Sequence, residues 1–341
     1  MAEHIFEDLI VLEIANNHWG DVHRGLRIVD TYADIADRYD LRVALKLQFR
    51  HPVDFVHHTF RDRTDIRYPQ KCVATALRRE DFQRISERIK DRGCLLMATP
   101  FDEYSVETCA EARVDVLKIA SAQLDDLPLL QESASLNLPI AVSTGGASLS
   151  TADRTIEMLS TVPRKLAVNH CVSIYPSQPE DLNLGRIELL RKRYPHCTIG
   201  FSTHEQDDWS VSIGIAYALG ARVFERHVDI DEGTFPVSAY CSLPSQIERW
   251  IEAFLLAKKM MTKPSNGSAR EREYLDTLVR GVYARNELHC NDILTSDNVF
   301  FAIPAQPGQL TVRDEFTGAR ISEPVRAGSP IPMASLDWTT D

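Results

Sequence analysis

The 341-residue chain has no long hydrophobic run and no surplus of positive charge. No stretch approaches the ~18 consecutive apolar residues that a membrane-spanning helix needs, so we expect no membrane partner. The formal net charge is −11, which argues against nucleic acid and anionic membrane surfaces, because both are bound by a basic face. An anionic substrate would therefore require cationic side chains concentrated in one pocket.

The sequence also lacks paired cysteines and a cationic leader. Its 7 cysteines are odd in number and scattered, with no Cys-x-x-Cys pair, which suits a reducing compartment where thiols act as small buried apolar groups. The N-terminal segment MAEHIFEDLIVLEI places acidic residues before a short apolar run, unlike a secretory signal peptide. We therefore expect a cytoplasmic protein.

An alternation of short apolar runs with amphipathic segments fills most of the chain. Eight runs are predicted as strands, at residues 9–14, 43–49, 94–98, 114–119, 140–143, 166–170, 198–201 and 222–227. Apolar residues at three- and four-residue spacing predict helices at residues 25–38, 79–91, 105–112, 152–159, 185–193 and 211–218. Eight strand–helix units predict an α/β fold of the (β/α)8 TIM-barrel type over residues 1–262. An open doubly wound sheet is less favoured, because no glycine-rich phosphate turn follows the first strand.

The chain changes character after this region. Residues 263–276 are polar and include Pro264 and Gly267, a composition that predicts a linker. Residues 277–341 are richer in proline and contain short strand-like runs at 280–284 and 298–303. They predict a small β-rich second domain.

Polar side chains cluster at the carboxyl ends of the predicted strands, where barrels of this kind carry their function. Lys46 and Lys118 lie on strands, and burying them without partners would be unfavourable. In an acidic chain the two lysines are reasonable binding groups for a phosphate or carboxylate, together with hydroxyl groups at neighbouring strand ends. The alternative, that each lysine pairs with a barrel glutamate for structural reasons, stays open here.

His204 and His227 stand at the ends of adjacent predicted strands, so their rings can converge on one ion. Two imidazoles with open positions fit a divalent metal that acts as a Lewis acid. A structural role as hydrogen-bonded histidines is the alternative for this pair.

Motifs along nearly the whole chain occur in the order and spacing of the N-acetylneuraminate (sialic acid) synthase family. They are EIANNHWGD, KLQF, ATPFD, LKIASAQLDDLPLL, VSTGGAS, HCVSIYPS, IGFSTHE and ALGARVFERHV. The later segment LVRGVYARNELHCNDILTSDNVFF resembles the antifreeze-like (SAF) domain that ends those enzymes. The resemblance implies a TIM barrel with an antifreeze-like domain, and an enzyme that condenses phosphoenolpyruvate with an amino-sugar aldehyde to give a 2-keto sugar acid and phosphate.

The resemblance also implies roles for individual residues. Phosphoenolpyruvate would be held by Lys46, Thr99, Lys118, Ser121, Ser143, Ser173 and Ser202, with Ser173 standing where the family often has asparagine. His204 and His227 would bind the divalent metal, usually manganese, and Tyr175 would line the sugar pocket. Lys46 would neutralise substrate charge, while Glu13 and Glu225 are candidates to position metal-bound water or move a proton. A homodimer is implied in which the second domain caps the partner's barrel.

The sequence departs from the family pattern around the acceptor sugar. Gln123 and Ser238 stand where the family has carboxylates, and Ile303 stands where it has an arginine before a proline. This pattern predicts an acceptor other than N-acetylmannosamine, since unmatched buried polar groups are costly. Two alternatives stay open: a catalytically inactive homologue that binds a ligand or partner, and a different metal aldolase on the same barrel, which would not explain the second domain.

Overall fold

Eight parallel strands close into a barrel in sequence order, with β8 pairing back to β1. In the computed structural model, which describes residues 5–51, 55–63, 65–161, 165–261 and 267–338, the predicted (β/α)8 barrel is confirmed. The strands are β1 (Leu9–Ala15), β2 (Val43–Phe49), β3 (Leu95–Pro100), β4 (Val116–Ile119), β5 (Ile140–Ser143), β6 (Leu166–Cys171), β7 (Thr198–Thr203) and β8 (Val223–His227). Each lies within two residues of its predicted bounds.

Helices surround the barrel and connect consecutive strands. They are α1 (Val22–Arg38), α2 (Arg67–Ala74), α3 (Arg79–Asp91), α4 (Glu103–Glu111), α5 (Leu127–Ser135), α6 (Leu149–Leu159), α7 (Gly185–Arg193), α8 (Val211–Ala218) and α9 (Pro244–Met260). Their apolar faces pack on the outward-facing strand residues, as Ile28 of α1 and Trp250 of α9 do in the main core. Among the described helices, none is both long and apolar enough to cross a membrane.

The two-residue period of the strands sorts side chains between the helices and the barrel interior. Leu45, Leu47 and Phe49 of β2 join the core beneath the helices, whereas Ala44 belongs to a separate apolar cluster inside the barrel. Further along the same inward-facing row, Lys46 contacts Glu13 of β1. The amino end of the barrel is therefore filled with apolar groups, and the polar groups follow towards the carboxyl ends.

That order repeats around the barrel. Each of six strands carries a buried apolar residue inside and a polar one two positions later: Val11 and Glu13, Ala44 and Lys46, Met97 and Thr99, Val116 and Lys118, Ala141 and Ser143, and Val223 and Glu225. The apolar layer closes the floor of the barrel, so a ligand can enter only from the carboxyl end.

Residues Lys263–Asp341 form a second compact unit, separate from Met1–Thr262. It contains α10 (Ala269–Asp276) and two antiparallel strand pairs, β9 (Gly281–Ala284) with β10 (Val299–Ala302) and β11 (Arg320–Ile321) with β12 (Leu336–Asp337). A small core that includes Val282, Leu310 and Ile331 holds it together. The unit has the β-rich character expected from the sequence.

The predicted linker differs from the structure over its second half, because α10 occupies Ala269–Asp276. The hydroxyl of Ser268 accepts the backbone N–H of Glu271, whose carboxylate accepts the backbone N–H of Ser268. This capping box stabilises a helix start inside a polar segment without an apolar stripe, which is why periodicity did not reveal it. The other predicted linker residues up to 266 lie outside the described residues.

Candidate active site

A cavity of about 640 Å³ opens at the carboxyl ends of the barrel strands. It brings together twelve residues singled out from the sequence: Glu13, Lys46, Thr99, Lys118, Ser121, Ser143, Ser173, Tyr175, Ser202, His204, Glu225 and His227. They lie on seven of the eight strands or in the segments that follow the strands, and Ser173 and Tyr175 follow the eighth, β6. The period-two arrangement of the strands explains this convergence, since every second residue faces the barrel interior.

Glu225 lies between the two strand lysines deep in the cavity. Its Oε1 is 3.3 Å from Lys46 Nζ and its Oε2 is 4.0 Å from Lys118 Nζ. Lys46 also donates to Glu13 Oε2 and, at 3.1 Å, to Thr99 Oγ1. Lys46 therefore pairs with barrel glutamates, as the structural alternative expects. Its role in binding an anion stays a prediction.

Lys118 is held mainly by neutral oxygens. Its Nζ donates to Ser143 Oγ at 2.7 Å and to its neighbour's carbonyl, Ile119 O, at 3.2 Å. Because Glu225 is at the limit of ion-pair distance, the charge of Lys118 is only partly compensated. A buried ammonium group in this setting is available to a bound anion.

The buried lysines and Glu225 shift one another's pKa values. Burial lowers the pKa of Lys46 from 10.5 to about 8, against the opposing effect of Glu225. Burial alone would disfavour the Glu225 carboxylate, but Lys118 and Lys46 lower its pKa below the ordinary value. At neutral pH the cavity floor therefore holds a charged Lys46 beside an ionised Glu225.

Gly145, two residues after the end of β5, allows two serine hydroxyls to approach the backbone. Its N–H donates to Ser121 Oγ at 3.0 Å. A Cβ at this position would lie 2.3 Å from Ser173 Oγ and 2.8 Å from Ser121 Oγ, which is too close for either hydroxyl to remain in place. The glycine of the VSTGGAS motif thus permits this small cluster of hydroxyl groups.

The histidine pair is buried and surrounded by aromatic rings. The ring centroids of His204 and His227 are 5.3 Å apart, and Tyr175 lies 4.1 Å from His204. Tyr240, which sequence reasoning missed, lies 5.1 Å from His227. The two rings are close enough to face a common ligand, as expected from adjacent strands.

Both imidazoles are in the form that can bind a metal. His204 Nδ1 donates to the carbonyl of Val172 at 2.7 Å, so its Nε2 carries the lone pair. Burial lowers the pKa of His204 to about 4 and that of His227 well below its usual value. His227 Nδ1 is buried and has no hydrogen-bond partner among the described residues.

The donor set of this pair is small. No group of three or more His, Cys, Asp or Glu side chains is arranged to hold a metal within the part of the chain that the structure describes. An ion held by the two imidazoles would therefore need water or substrate oxygens as further ligands, as catalytic metals commonly have.

Of the four residues predicted to contact the acceptor, Tyr175 lines the cavity, whereas Gln123 and Ser238 do not. Gln123 ends a short 3-10 turn after β4, with its Oε1 buried and unbonded among the described residues. Ser238 lies in the loop after β8, where its carbonyl accepts the N–H of Cys241. Ile303 belongs to the second unit and is 59% exposed. Family position therefore located one acceptor candidate at the cavity, Tyr175, and the contacts of the other three with the acceptor stay predictions.

Sequence reasoning also missed cationic residues of the cavity wall. Arg50 follows β2, and Lys71 and Tyr68 lie on α2; all three line the cavity. Arg50 was predictable, because it continues the alternation that places Lys46 and Gln48 on the inward side. Lys71 was not, since α2 was not recognised in the long segment after β2. The cavity lining contains four cationic side chains and two carboxylates, although the chain is acidic overall.

Comparison with known proteins places these features in context. The NeuB family model matches residues 43–266. The N-acetylneuraminate-9-phosphate synthase of Drosophila melanogaster is 34% identical over 169 residues, 49% of this chain but only 45% of that protein. The human enzyme of the same name is 25% identical over 84% of this chain and 81% of its own length. The N,N'-diacetyllegionaminic acid synthase of Campylobacter jejuni is 23% identical over 91% of this chain and 94% of its own.

Solved structures show the same similarity. A chain named after spore coat polysaccharide biosynthesis protein E, from Chromobacterium violaceum, is 33% identical with a TM-score of 0.86, covering 97% of this chain and 100% of that one. The N-acetylneuraminic acid synthetase of Leptospira borgpetersenii, in complex with citrate, is 25% identical with a TM-score of 0.67, covering 78% and 90%.

Proposed function

The chain belongs to the NeuB family, and from this premise we propose that it condenses phosphoenolpyruvate with a sugar aldehyde to give a 2-keto-3-deoxy sugar acid and phosphate. The names of its relatives, which include sialic, legionaminic and pseudaminic acid synthases, support this class of reaction. The observation that carries the proposal is the buried Lys46–Glu225–Lys118 arrangement beneath a group of hydroxyls. It supplies charge and donors for a small molecule with a phosphate and a carboxylate.

The residues can be assigned to the steps of this condensation. Lys46 and Lys118 bind the phosphate and carboxylate of phosphoenolpyruvate, with Thr99, Ser121, Ser143, Ser173 and Ser202 as hydroxyl donors. The enol carbon C3 forms a bond to the aldehyde carbon, whose oxygen takes up a proton. Water then adds to C2, and the C2–O bond to phosphate breaks. Glu13 and Glu225, which lie beside Lys46, are placed to exchange the protons of the water and the new hydroxyl.

A divalent metal, for which manganese is the proposed ion, would be held by His204 and His227. When bound it would polarise the aldehyde oxygen. The fit rests on neutral, buried imidazoles whose rings converge on the cavity. Tyr175, whose ring lies 4.1 Å from that of His204 at an interplanar angle of 49°, lines one side of this position.

The acceptor is proposed to differ from N-acetylmannosamine, because Gln123 and Ser238 are neutral at the family's carboxylate positions and Ile303 is apolar. We expect phosphate release from phosphoenolpyruvate only in the presence of an acceptor, and a higher kcat/KM for another aldose than for N-acetylmannosamine. A panel of aldoses and amino sugars, assayed with manganese and saturating phosphoenolpyruvate, measures this. If N-acetylmannosamine is the best acceptor, the altered residues do not set specificity.

The same assay separates the enzyme from a catalytically inactive homologue. An inactive protein would bind phosphoenolpyruvate in calorimetry but release no phosphate with any acceptor. The retained lysines, histidines and hydroxyl groups around one cavity favour the enzyme. A chain that neither binds phosphoenolpyruvate nor releases phosphate would contradict the proposed function.

The second unit is proposed to be an antifreeze-like domain in a cytoplasmic homodimer. It exposes apolar side chains, with Phe301 40%, Ile303 59% and Met333 37% exposed. We expect light scattering at micromolar concentration to give twice the 38.5 kDa of one chain, and Ile303→Asp to shift the protein towards monomer. Val211→Asp, at a comparably exposed residue of α8, is the control and should stay dimeric. A monomeric wild-type protein would contradict the proposal.

A further inference from the structure

We propose that Arg50 forms a second anion-binding position at the mouth of the cavity, and that the acceptor therefore carries an anionic group of its own, a phosphate ester or a carboxylate. This inference rests on the proposed function and names the class of its second substrate. It arises from a cationic residue that the assignment of phosphoenolpyruvate to the cavity floor leaves without a role.

The first argument is position. Lys46, Gln48 and Arg50 follow one another on the inward face of β2 and its extension, and all three line the cavity. At roughly 3.3 Å per residue, the Cα of Arg50 lies about 13 Å beyond that of Lys46 towards the carboxyl end. The guanidinium is held there by Asn16 and Phe101, which lie just past the ends of β1 and β3. It therefore faces a different part of the cavity from Lys46.

The second argument is the way the guanidinium is held. Its two terminal nitrogens donate to neutral oxygens, NH1 to Asn16 Oδ1 at 2.9 Å and NH2 to Gln48 Oε1 at 2.6 Å. One face rests on the Phe101 ring, 4.2 Å from its centroid. These contacts fix a planar fork without neutralising it. A fixed guanidinium matches the paired oxygens of a carboxylate or phosphate.

The third argument is the absence of a counter-charge. Among the described residues Arg50 forms no salt bridge; its hydrogen bonds go to neutral oxygens, and its buried Nε has no partner. Asp102, at the start of α4, instead accepts the N–H groups of His51 at 2.8 Å and Ser105 at 2.7 Å. The carboxylate that follows β3 is thus committed to the backbone.

The charged side chains of the cavity are also distributed unevenly. Its two carboxylates, Glu13 and Glu225, both contact Lys46 at the floor. Of the described lining residues around Arg50, none is acidic. Within the described residues, the Arg50 guanidinium suits an anion distinct from the phosphoenolpyruvate proposed for the floor. An aldose with a charged group at the far end from its aldehyde has the required form.

Matched acceptors test the inference. Mannose, mannose 6-phosphate and mannuronate differ only at the end remote from the aldehyde, and the last two separate phosphate from carboxylate. We expect kcat/KM to favour one of the two anions over mannose by about 10- to 100-fold, the range of a charged hydrogen bond. Arg50→Gln should reduce this ratio at least tenfold, mainly through the KM of the acceptor and much less through that of phosphoenolpyruvate. Lys192→Gln, an exposed lysine on α7 paired with Glu188, is the control and should keep the ratio.

Two outcomes would overturn the inference: a wild-type protein that prefers mannose, or an Arg50→Gln variant that raises the KM of phosphoenolpyruvate while the anion ratio stays constant. If none of the three sugars is turned over, calorimetry with mannose 6-phosphate and mannuronate on the phosphoenolpyruvate-saturated protein decides. Binding of either that weakens at least tenfold in Arg50→Gln supports the site, and absent or unchanged binding overturns it. Failure to bind phosphoenolpyruvate would instead count against the proposed function.

Discussion

Replacing Lys46 with methionine should weaken phosphoenolpyruvate binding about 100-fold and destabilise the barrel by roughly 3–5 kcal/mol. The first effect is the loss of a charged hydrogen bond to the ligand. The second arises because Glu13 and Glu225 are both buried against Lys46, and the substitution leaves Glu13 without its cation. Methionine keeps most of the side-chain volume, so the result reports charge rather than packing.

A double variant separates the two effects. Lys46→Met combined with Glu13→Gln removes the lysine together with the Glu13 carboxylate that would otherwise be unpaired. Glu225 keeps Lys118 at 4.0 Å. We expect most of the lost stability to return, because removing both members of a buried ion pair costs far less than removing one. Affinity for phosphoenolpyruvate should not return, since the ligand still lacks a cation.

Urea unfolding followed by tryptophan fluorescence measures stability, and calorimetry with phosphoenolpyruvate alone measures affinity. If affinity recovered together with stability in the double variant, Lys46 would serve only to neutralise barrel carboxylates. Lys118→Met offers a matched comparison, because its Nζ is held mainly by Ser143 Oγ and a carbonyl. It should reduce affinity similarly with a smaller loss of stability.

The cavity floor could be predicted from the sequence because strands impose a fixed period. Once the eight strands were located, alternation alone placed Lys46, Lys118 and Glu225 inside the barrel, and the structure has all three there. Alternation did not predict which charged side chains contact one another. Whether Lys46 contacts Glu13 depends on the register between β1 and β2, where Glu13 pairs with Lys46, and register is set by packing of the whole barrel.

Features beyond the strand ends were less predictable. Helix α2 has a short polar sequence, RYPQKCVA, within a long loop, and its first residues carry no side-chain cap. Neither periodicity nor capping identified it, so Lys71 was missed. For Gln123 the family motif predicts a contact with the acceptor, whereas the 3-10 turn after β4 places it outside the cavity lining, so that contact stays a prediction. Loop geometry, rather than residue identity, decides which side chains reach a substrate.

Replacing His204 or His227 with alanine should remove bound manganese and lower turnover by on the order of 1,000-fold. The two imidazoles are the proposed protein ligands of this ion, so losing either leaves a single proposed donor in a buried site. The expected loss of turnover corresponds to several kcal/mol of transition-state stabilisation by a metal acting as Lewis acid. Metal content after dialysis, measured by mass spectrometry, and phosphate release are the two readouts.

His170 provides a matched control for the loss of a buried imidazole. It lies on β6 outside the cavity lining, and its Nε2 contacts the carbonyl of Leu182 at 2.7 Å. His170→Ala should therefore lower thermal stability by losing a buried hydrogen bond, but retain full metal content. His227→Ala should show the reverse pattern, because His227 Nδ1 has no partner to lose among the described residues. His204→Ala should lose both metal and some stability, because His204 Nδ1 donates to the carbonyl of Val172. Full manganese occupancy in His204→Ala or His227→Ala would remove that residue from the proposed metal site.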